Sequence, residues 1–146
     1  MVNLKQITMD NFWEVISLNV KEKQHNWVAS NVVSIAESKI DTDEMFPLAI
    51  YDDEILIGFL MYEFRDWDGP ILFIDRIMID EKYQGKGYGK TSMKVLMDKT
   101  KCVNNYTKVK LSVHEYAIDT IEFYKKLGFY FTGEKMDDEL VMELKC

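Results

Sequence analysis

Three glycines, Gly85, Gly87 and Gly89, stand between an apolar run, Ile71 to Ile79, and a helical pattern that begins near Gly87. A strand that enters a glycine turn and leaves as a helix is a strong constraint on a chain of this size. The turn leaves backbone N–H groups uncovered at the positive end of the helix dipole. Such a segment is built to hold a phosphate, and Lys86 and Lys90 add charge to it. A phosphate-bearing ligand, a nucleotide or a coenzyme, is the first functional expectation.

The rest of the chain supplies elements around that unit. Val2 to Thr8 reads as an opening strand. Asp10 is placed to cap a helix carrying Phe12, Trp13, Val15, Ile16 and Val20. A second helix is expected over roughly Trp27 to Lys39, with Val28, Val32, Ile35 and Ala36 on one side. Strands follow at Phe46 to Tyr51 and Ile55 to Phe64, joined by the turn residues Asp52, Asp53 and Glu54. After the Gly87 to Cys102 helix, Thr107 to Val113 alternates as a strand. Asp119 opens a short helix, with Glu122 in capping-box spacing and Gly128 as its left-handed stop. Phe129 to Glu134 and Leu140 to Leu144 close as a hairpin over Asp137, Asp138 and Glu139. The expected class is α/β, with order β-α-α-β-β-β-α-β-α-β-β: a mixed sheet carrying helices on both faces.

Bulk properties narrow the function. A chain of 146 residues favours one domain over 1–146, and a hydrophobic fraction of 47% opposes disorder. The net charge of -7 argues against nonspecific nucleic-acid binding and suits a cationic partner or simple solubility. Cys102 and Cys146 form neither a disulfide framework nor a metal motif, so no metal is expected. No signal-peptide pattern follows Met1, and no apolar run approaches the roughly 18 residues of a membrane span. A cytoplasmic protein without a membrane partner is expected.

Two of the well-known phosphate turns fail. A P-loop requires glycine where Gln84 stands, and the dinucleotide fingerprint requires glycine where Lys90 stands. The turn Gln84-Gly85-Lys86-Gly87-Tyr88-Gly89 instead resembles the Q/R-x-x-G-x-G/A signature of the GNAT acetyltransferase superfamily. A second segment, Phe123-Tyr124-Lys125-Lys126-Leu127-Gly128-Phe129, resembles that family's C-terminal Y-x-x-x-G-F pattern. The order of elements matches too. Glu22 to Asn31 and Ile74 to Gly87 look like the corresponding stretches of bacterial spermine/spermidine N-acetyltransferases of the diamine group.

The resemblance implies a GNAT-like fold in which two central strands, Ile74 to Ile79 and Thr107 to Val113, splay around the pantetheine arm of acetyl-CoA. It implies that backbone groups of Ile77, Met78 and Ile79 hold the pantetheine and the acetyl carbonyl, with an N–H of Met78 or Ile79 facing the developing oxyanion. Gln84, Gly85, Lys86, Gly87, Tyr88, Gly89 and Lys90 would bind the coenzyme diphosphate; each lysine either joins that contact or is simply solvated. The family often has Asn seven residues before the tyrosine and Ala four before it; here these are Ala117 and Thr120. A polar contact is then lost, or Asp119 or Thr120 replaces it.

An alkyl amine, with pKa of about 10.4, arrives protonated at neutral pH and must lose a proton before it attacks. Asp75 interrupts an apolar strand just before the carbonyl-binding residues and is the leading base, water orienter or charge anchor; its bland alternative is an ion pair. His114, with a typical pKa of about 6.5, is a second candidate base or a surface loop residue. Tyr124 falls on the family's tyrosine position and is the expected acid for the leaving thiolate; otherwise it is a core aromatic. Direct attack needs no acyl-enzyme, and Cys102 reads as a packed residue.

A polyamine site needs carboxylates along a groove and aromatic surface beside the methylenes. Trp27, Glu37, Glu63 and Asp75 are the expected substrate contacts. The alternatives are acetylation of a protein N-terminus or an aminoglycoside-type amine, or a non-catalytic acyl-CoA-binding module. A homodimer is the expected oligomer by resemblance.

Overall fold

In a computed structural model describing Met1–Cys146, the chain forms β1 (Val2–Gln6), α1 (Phe12–Ile16), α2 (Asn31–Ile40), β2 (Met45–Asp52), β3 (Ile55–Asp66), β4 (Pro70–Ile79), α3 (Tyr88–Lys101), β5 (Lys108–His114), α4 (Ile118–Lys126), β6 (Tyr130–Met136) and β7 (Glu139–Lys145). One seven-stranded sheet runs in the order β1-β2-β3-β4-β5-β7-β6. Every neighbouring pair is antiparallel except β4 and β5. The expected order of elements is the observed one. No helix is long and apolar enough to cross a membrane.

Apolar side chains on the two faces of the sheet make two cores. Leu72, Ile74, Val109, Leu111 and Met142 pack with Met93 and Leu96 of α3 and with Ile121 and Tyr124 of α4. Ala49, Phe59, Met61 and Met78 pack with Val15 of α1, and Ile35 of α2 closes the same cluster. Each fully buried residue of this size adds roughly 1.5–3 kcal/mol, so the two faces clamp the sheet from opposite sides.

The feature that makes the site is a break in β4. Met61 pairs with Arg76 and Tyr62 with Ile74, so Asp75 is an extra residue opposite no partner on β3, a β-bulge. The alternation of β4 slips by one there. Leu72 and Ile74 face the α3–α4 core above the bulge, and Ile77 and Ile79 face it below. Pairing with β5 also stops at this level: it runs from Ile71 opposite Lys108 to Ile74 opposite Leu111 and no further. The expected splay between the central strands is therefore present, and it opens at the bulge.

The N-terminal helices differ from expectation. α1 is a single short helix, and its cap position is Asn11 rather than Asp10; the Asn11 Oδ1 accepts from the Thr8 N–H at 2.9 Å. Trp27 lies in a turn, and α2 starts only after Ser30, whose hydroxyl accepts from the Val33 N–H at 3.3 Å. Its buried face carries Asn31 and Ser34, while Val32, Val33 and Ala36 face outward. Asn31 can go inside because its amide donates to the Val15 carbonyl, 2.9 Å away at the end of α1. Ser34 donates to the Ser30 carbonyl. Polar side chains with near partners thus displaced the valines that periodicity favoured. The capping box expected at Asp119 is also absent. α4 begins one residue earlier, behind Ala117, and no side chain caps it.

Candidate active site

The glycine turn has the geometry its sequence implies. Gly85 and Gly87 have φ of 77° and 83°, a region that side chains rarely enter. Gly87 is the N-cap of α3. None of the backbone N–H groups from Gly85 to Lys90 donates to an acceptor within the molecule. They form a cradle of donors at a helix N-terminus, which fits a diphosphate. Gly89 has a separate reason: a Cβ there would lie 3.0 Å from the Phe123 ring. That contact fixes α4 against the cradle and so fixes the neighbouring Tyr124. Lys86 and Lys90 are exposed at the rim.

Two of the turn's side chains are already committed to the protein. Gln84 donates to the Ile79 carbonyl at 2.8 Å and to the Gln24 side chain at 3.0 Å. The Tyr88 hydroxyl donates to Asp52 at 2.6 Å. As side chains these hold the turn in place, and its remaining binding capacity lies in the main chain.

Two clefts meet across the splay. One, of about 230 Å³, runs beside the turn and is lined by Ile77, Met78, Ile79, Tyr83, Gly85, Asp119 and Phe123 among others. The second, of about 400 Å³, lies on the bulge side and is lined by Asp75, Arg76, Ser112, His114, Ala117 and Glu139 among others. Trp27, Val28, Ile77, Thr120 and Tyr124 line both. A ligand entering from the turn and one entering from the bulge would meet at these residues.

Tyr124 is 6% exposed, and its hydroxyl makes no hydrogen bond within the molecule. Burial pushes its pKa well up, so the phenol stays protonated throughout the neutral range. It can donate a proton to an anion generated in the junction. His114 packs against Trp27 with ring centroids 4.5 Å apart and planes tilted by 41°, and its Nδ1 accepts from the Tyr116 N–H at 3.2 Å. Lys23 and Asp119 pair at 3.1 Å, joining the loop that carries Trp27 to the first turn of α4.

Asp75 sits among charges. Arg65 approaches one of its oxygens at 3.9 Å and binds Glu63 through Nε. Burial first, then hydrogen bonding and repulsion from Glu63, push the Asp75 carboxyl up to about 8, against the pull of Arg65 and Arg76. Glu63 Oε2 and Asp75 Oδ2 are both buried and lack any donor from other residues. A proton held between the two carboxyls supplies the missing donor, which is the physical content of the raised pKa.

The structure separates the expected amine contacts. Trp27 and Asp75 line the bulge-side cleft. Glu63 is wholly buried, so it touches Asp75 and Arg65 instead of a ligand. Glu37 faces Arg76, with Arg76 Nη2 donating across 3.4 Å, and lies outside the cleft lining. Both corrections have one cause: an arginine on the same sheet occupies each carboxylate, a pairing that spacing along the chain does not reveal. His25, Arg76, Ser112 and Glu139 line the cleft without having been singled out. Glu139 had been read as turn chemistry, and only strand pairing, His114 opposite Glu139, turns it toward the cleft. No group of three or more His, Cys, Asp and Glu side chains is arranged to hold a metal ion.

Known proteins resemble this chain in sequence and in fold. The family model described as "Acetyltransferase (GNAT) family" matches residues 12–129. The spermine/spermidine N(1)-acetyltransferase of Bacillus subtilis (strain 168) is 33% identical over 138 residues, covering 91% of this chain and 90% of that protein. Among solved structures, an aminoglycoside acetyltransferase in complex with coenzyme A and kanamycin superposes with a TM-score of 0.79 at 16% identity, covering 99% of this chain and 95% of that one. The spermidine N-acetyltransferase of Vibrio cholerae in complex with CoA and spermine superposes with a TM-score of 0.74 at 17% identity, with 99% and 95% covered. At such identities the structural likeness is one of fold.

Proposed function

Since the chain belongs to the GNAT acetyltransferase family and is an acetyl-CoA-dependent N-acetyltransferase, we propose that its acceptor is the primary amine of a polyamine such as spermidine or spermine. The observation that carries this reading is the meeting of a main-chain phosphate cradle with a second, aromatic-walled cleft at Tyr124. The curated relative named for spermine and spermidine supports the substrate class.

The N–H groups of Gly85 to Lys90 hold the diphosphate, and the unpaired edge of β4 below the bulge offers main-chain groups to the pantetheine arm. Acetyl-CoA supplies an activated thioester, and this chain supplies position and proton handling. A main-chain N–H at Met78 or Ile79 stabilises the carbonyl oxygen as it gains charge. Asp75 accepts the proton that the incoming ammonium must shed, directly or through water. A pKa near 8 makes it a far better base than an ordinary aspartate at 3.8. Burial and the Glu63 carboxyl raise that value, and Arg65 and Arg76 restrain it. Tyr124 returns a proton to the departing thiolate. The amine attacks the carbonyl carbon, the C–S bond breaks, and no enzyme-bound acetyl group forms.

Free thiol released from acetyl-CoA is measured with spermidine, with an aminoglycoside, with a peptide N-terminus and without acceptor. The expected result is fast release with spermidine alone. Release only with the peptide or the aminoglycoside overturns the polyamine reading. For Tyr124→Phe a loss of roughly 100-fold in kcat is expected, and full turnover would remove Tyr124 as the acid.

A further inference from the structure

Of the carboxylates proposed from the sequence as amine contacts, Glu37 and Glu63 are held by arginines, and Asp75 shares its surroundings with Glu63 and Arg65. The acceptor cleft still has one carboxylate with no cationic partner, Glu139 at the start of β7. It is partly buried, and the Ser112 hydroxyl donates to its Oε1 at 3.0 Å, which orients the carboxylate. It lines the acceptor cleft and not the coenzyme cleft, so it lies away from the junction at Tyr124.

The walls between the two points are aromatic. Trp27 lines the junction, His114 packs on Trp27, and Glu139 is His114's partner on the adjacent strand. Ser112 and His114 lie on the same face of β5, two residues apart, so the Ser112 hydroxyl holds the Glu139 carboxylate on the cleft wall next to the imidazole. Of the other charged side chains in the cleft, Arg76 is matched by Glu37 and Asp75 lies beside Arg65. The wall therefore runs from the reacting position, past aromatic surface, to a fixed and uncompensated negative charge.

We infer that Glu139, oriented by Ser112, binds the second ammonium of the acceptor while its methylenes lie along Trp27 and His114. This rests on the polyamine reading and deepens it: Glu139 is the residue that favours a diamine or longer polyamine over a monoamine of similar length. A carboxylate–ammonium contact in a partly desolvated cleft is an effective discriminator, because a monoamine leaves that carboxylate unpaired.

The test compares kcat/KM for spermidine, putrescine, diaminopropane and butylamine in the natural enzyme, Glu139→Gln and Ser112→Ala. In Glu139→Gln the spermidine-to-butylamine ratio is expected to fall roughly tenfold, carried by KM, with a smaller fall in Ser112→Ala. A kcat loss equal for all amines, or an unchanged ratio in a folded variant, overturns the inference while leaving the polyamine reading intact. If the natural enzyme itself prefers butylamine or ignores all four amines, the polyamine reading fails first. Circular dichroism and a thermal midpoint close to that of the natural enzyme identify a folded variant, and Glu139→Asp, which restores the charge, is expected to recover part of the ratio.

Discussion

Two clusters of buried charge lie on the same face of the sheet, each with a cation against Trp67, and they behave in opposite ways. Arg65 lies 5.0 Å and Lys110 5.6 Å from the centre of the Trp67 ring. Around Lys110 the charges balance: Glu143 meets Lys108 at 3.7 Å and Lys110 at 3.5 Å, and Glu134 meets Lys110 at 3.1 Å. Tyr130 also donates to Glu143. Around Arg65 they do not: Glu63 and Asp75 share one guanidinium, while Arg76 reaches Glu37 and the Asp75 carbonyl. The Asp75 and Glu143 side chains are 6% and 7% exposed. Burial alone raises both carboxyls. For Glu143 the Tyr130 hydroxyl and the two lysines outweigh it, and the pKa falls below the ordinary value. For Asp75 Glu63 reinforces it, and the pKa climbs to about 8. Each carboxyl feels two cations; the second carboxylate beside Asp75, against the donating hydroxyl beside Glu143, separates a group able to carry a proton in the neutral range from a structural ion cluster.

That contrast can be broken by substitution. The largest effect is expected from Asp75→Asn, which removes the proposed base: kcat falls by roughly 100-fold or more, while Glu143→Gln leaves steady-state turnover within about twofold. Comparable losses in both would show that the two clusters do not differ in role.

Glu143→Gln should instead act on stability. It leaves Lys110 with only Glu134 and weakens a buried network, at a cost of about 1–2 kcal/mol. Denaturant melts at neutral pH measure it, and no change in midpoint would mean that the cluster is solvated.

The two carboxyls should also tilt stability in opposite directions with pH. Asp75 is raised in the folded state, so folding binds its proton more tightly; its contribution is full below about 3.8 and is lost as pH rises towards about 8. Glu143 is lowered, so its contribution is present above its ordinary value and is lost as pH falls through the folded pKa. Thermal midpoints of the natural protein minus those of Asp75→Asn should therefore decline between about pH 4 and about pH 8. The same difference for Glu143→Gln should shrink only in acid. Parallel curves would sink the assignment.

The smallest effect is a displacement of the rate profile. kcat/KM is expected to rise with pH towards about 8 as Asp75 loses its proton. Glu63→Gln removes the neighbouring charge, and the ascending limb should move to lower pH. A limb that stays in place would exclude Glu63 as a contributor to the Asp75 pKa and leave burial alone to raise it.

Much of this protein is written locally. The run Ile71 to Ile79, the positive-φ glycines at 85 and 87 and the helix after them produce the phosphate cradle from residues adjacent in the chain. The alternation in Val109, Leu111 and Val113 produces β5, and Gly128, with φ of 102°, ends α4 where expected. Such features need only short-range sterics, dipoles and periodicity, so one sequence suffices to read them. The position of Tyr124 within α4 is legible for the same reason.

The tertiary structure alone decided the rest. The bulge at Asp75 exists because β3 and β4 pair in one register above it and another below, and no local pattern encodes a register between strands. Glu37 and Glu63 were plausible amine contacts until the sheet brought Arg76 and Arg65 to them. Glu139 read as a turn residue until strand pairing set it beside His114. Charge pairing and cavity lining depend on which distant residues become neighbours, and long-range packing settles that. The sequence determined a turn of open main-chain donors at the mouth of a helix and a tyrosine on the next helix; the fold determined which carboxylates an arginine holds and which it leaves free.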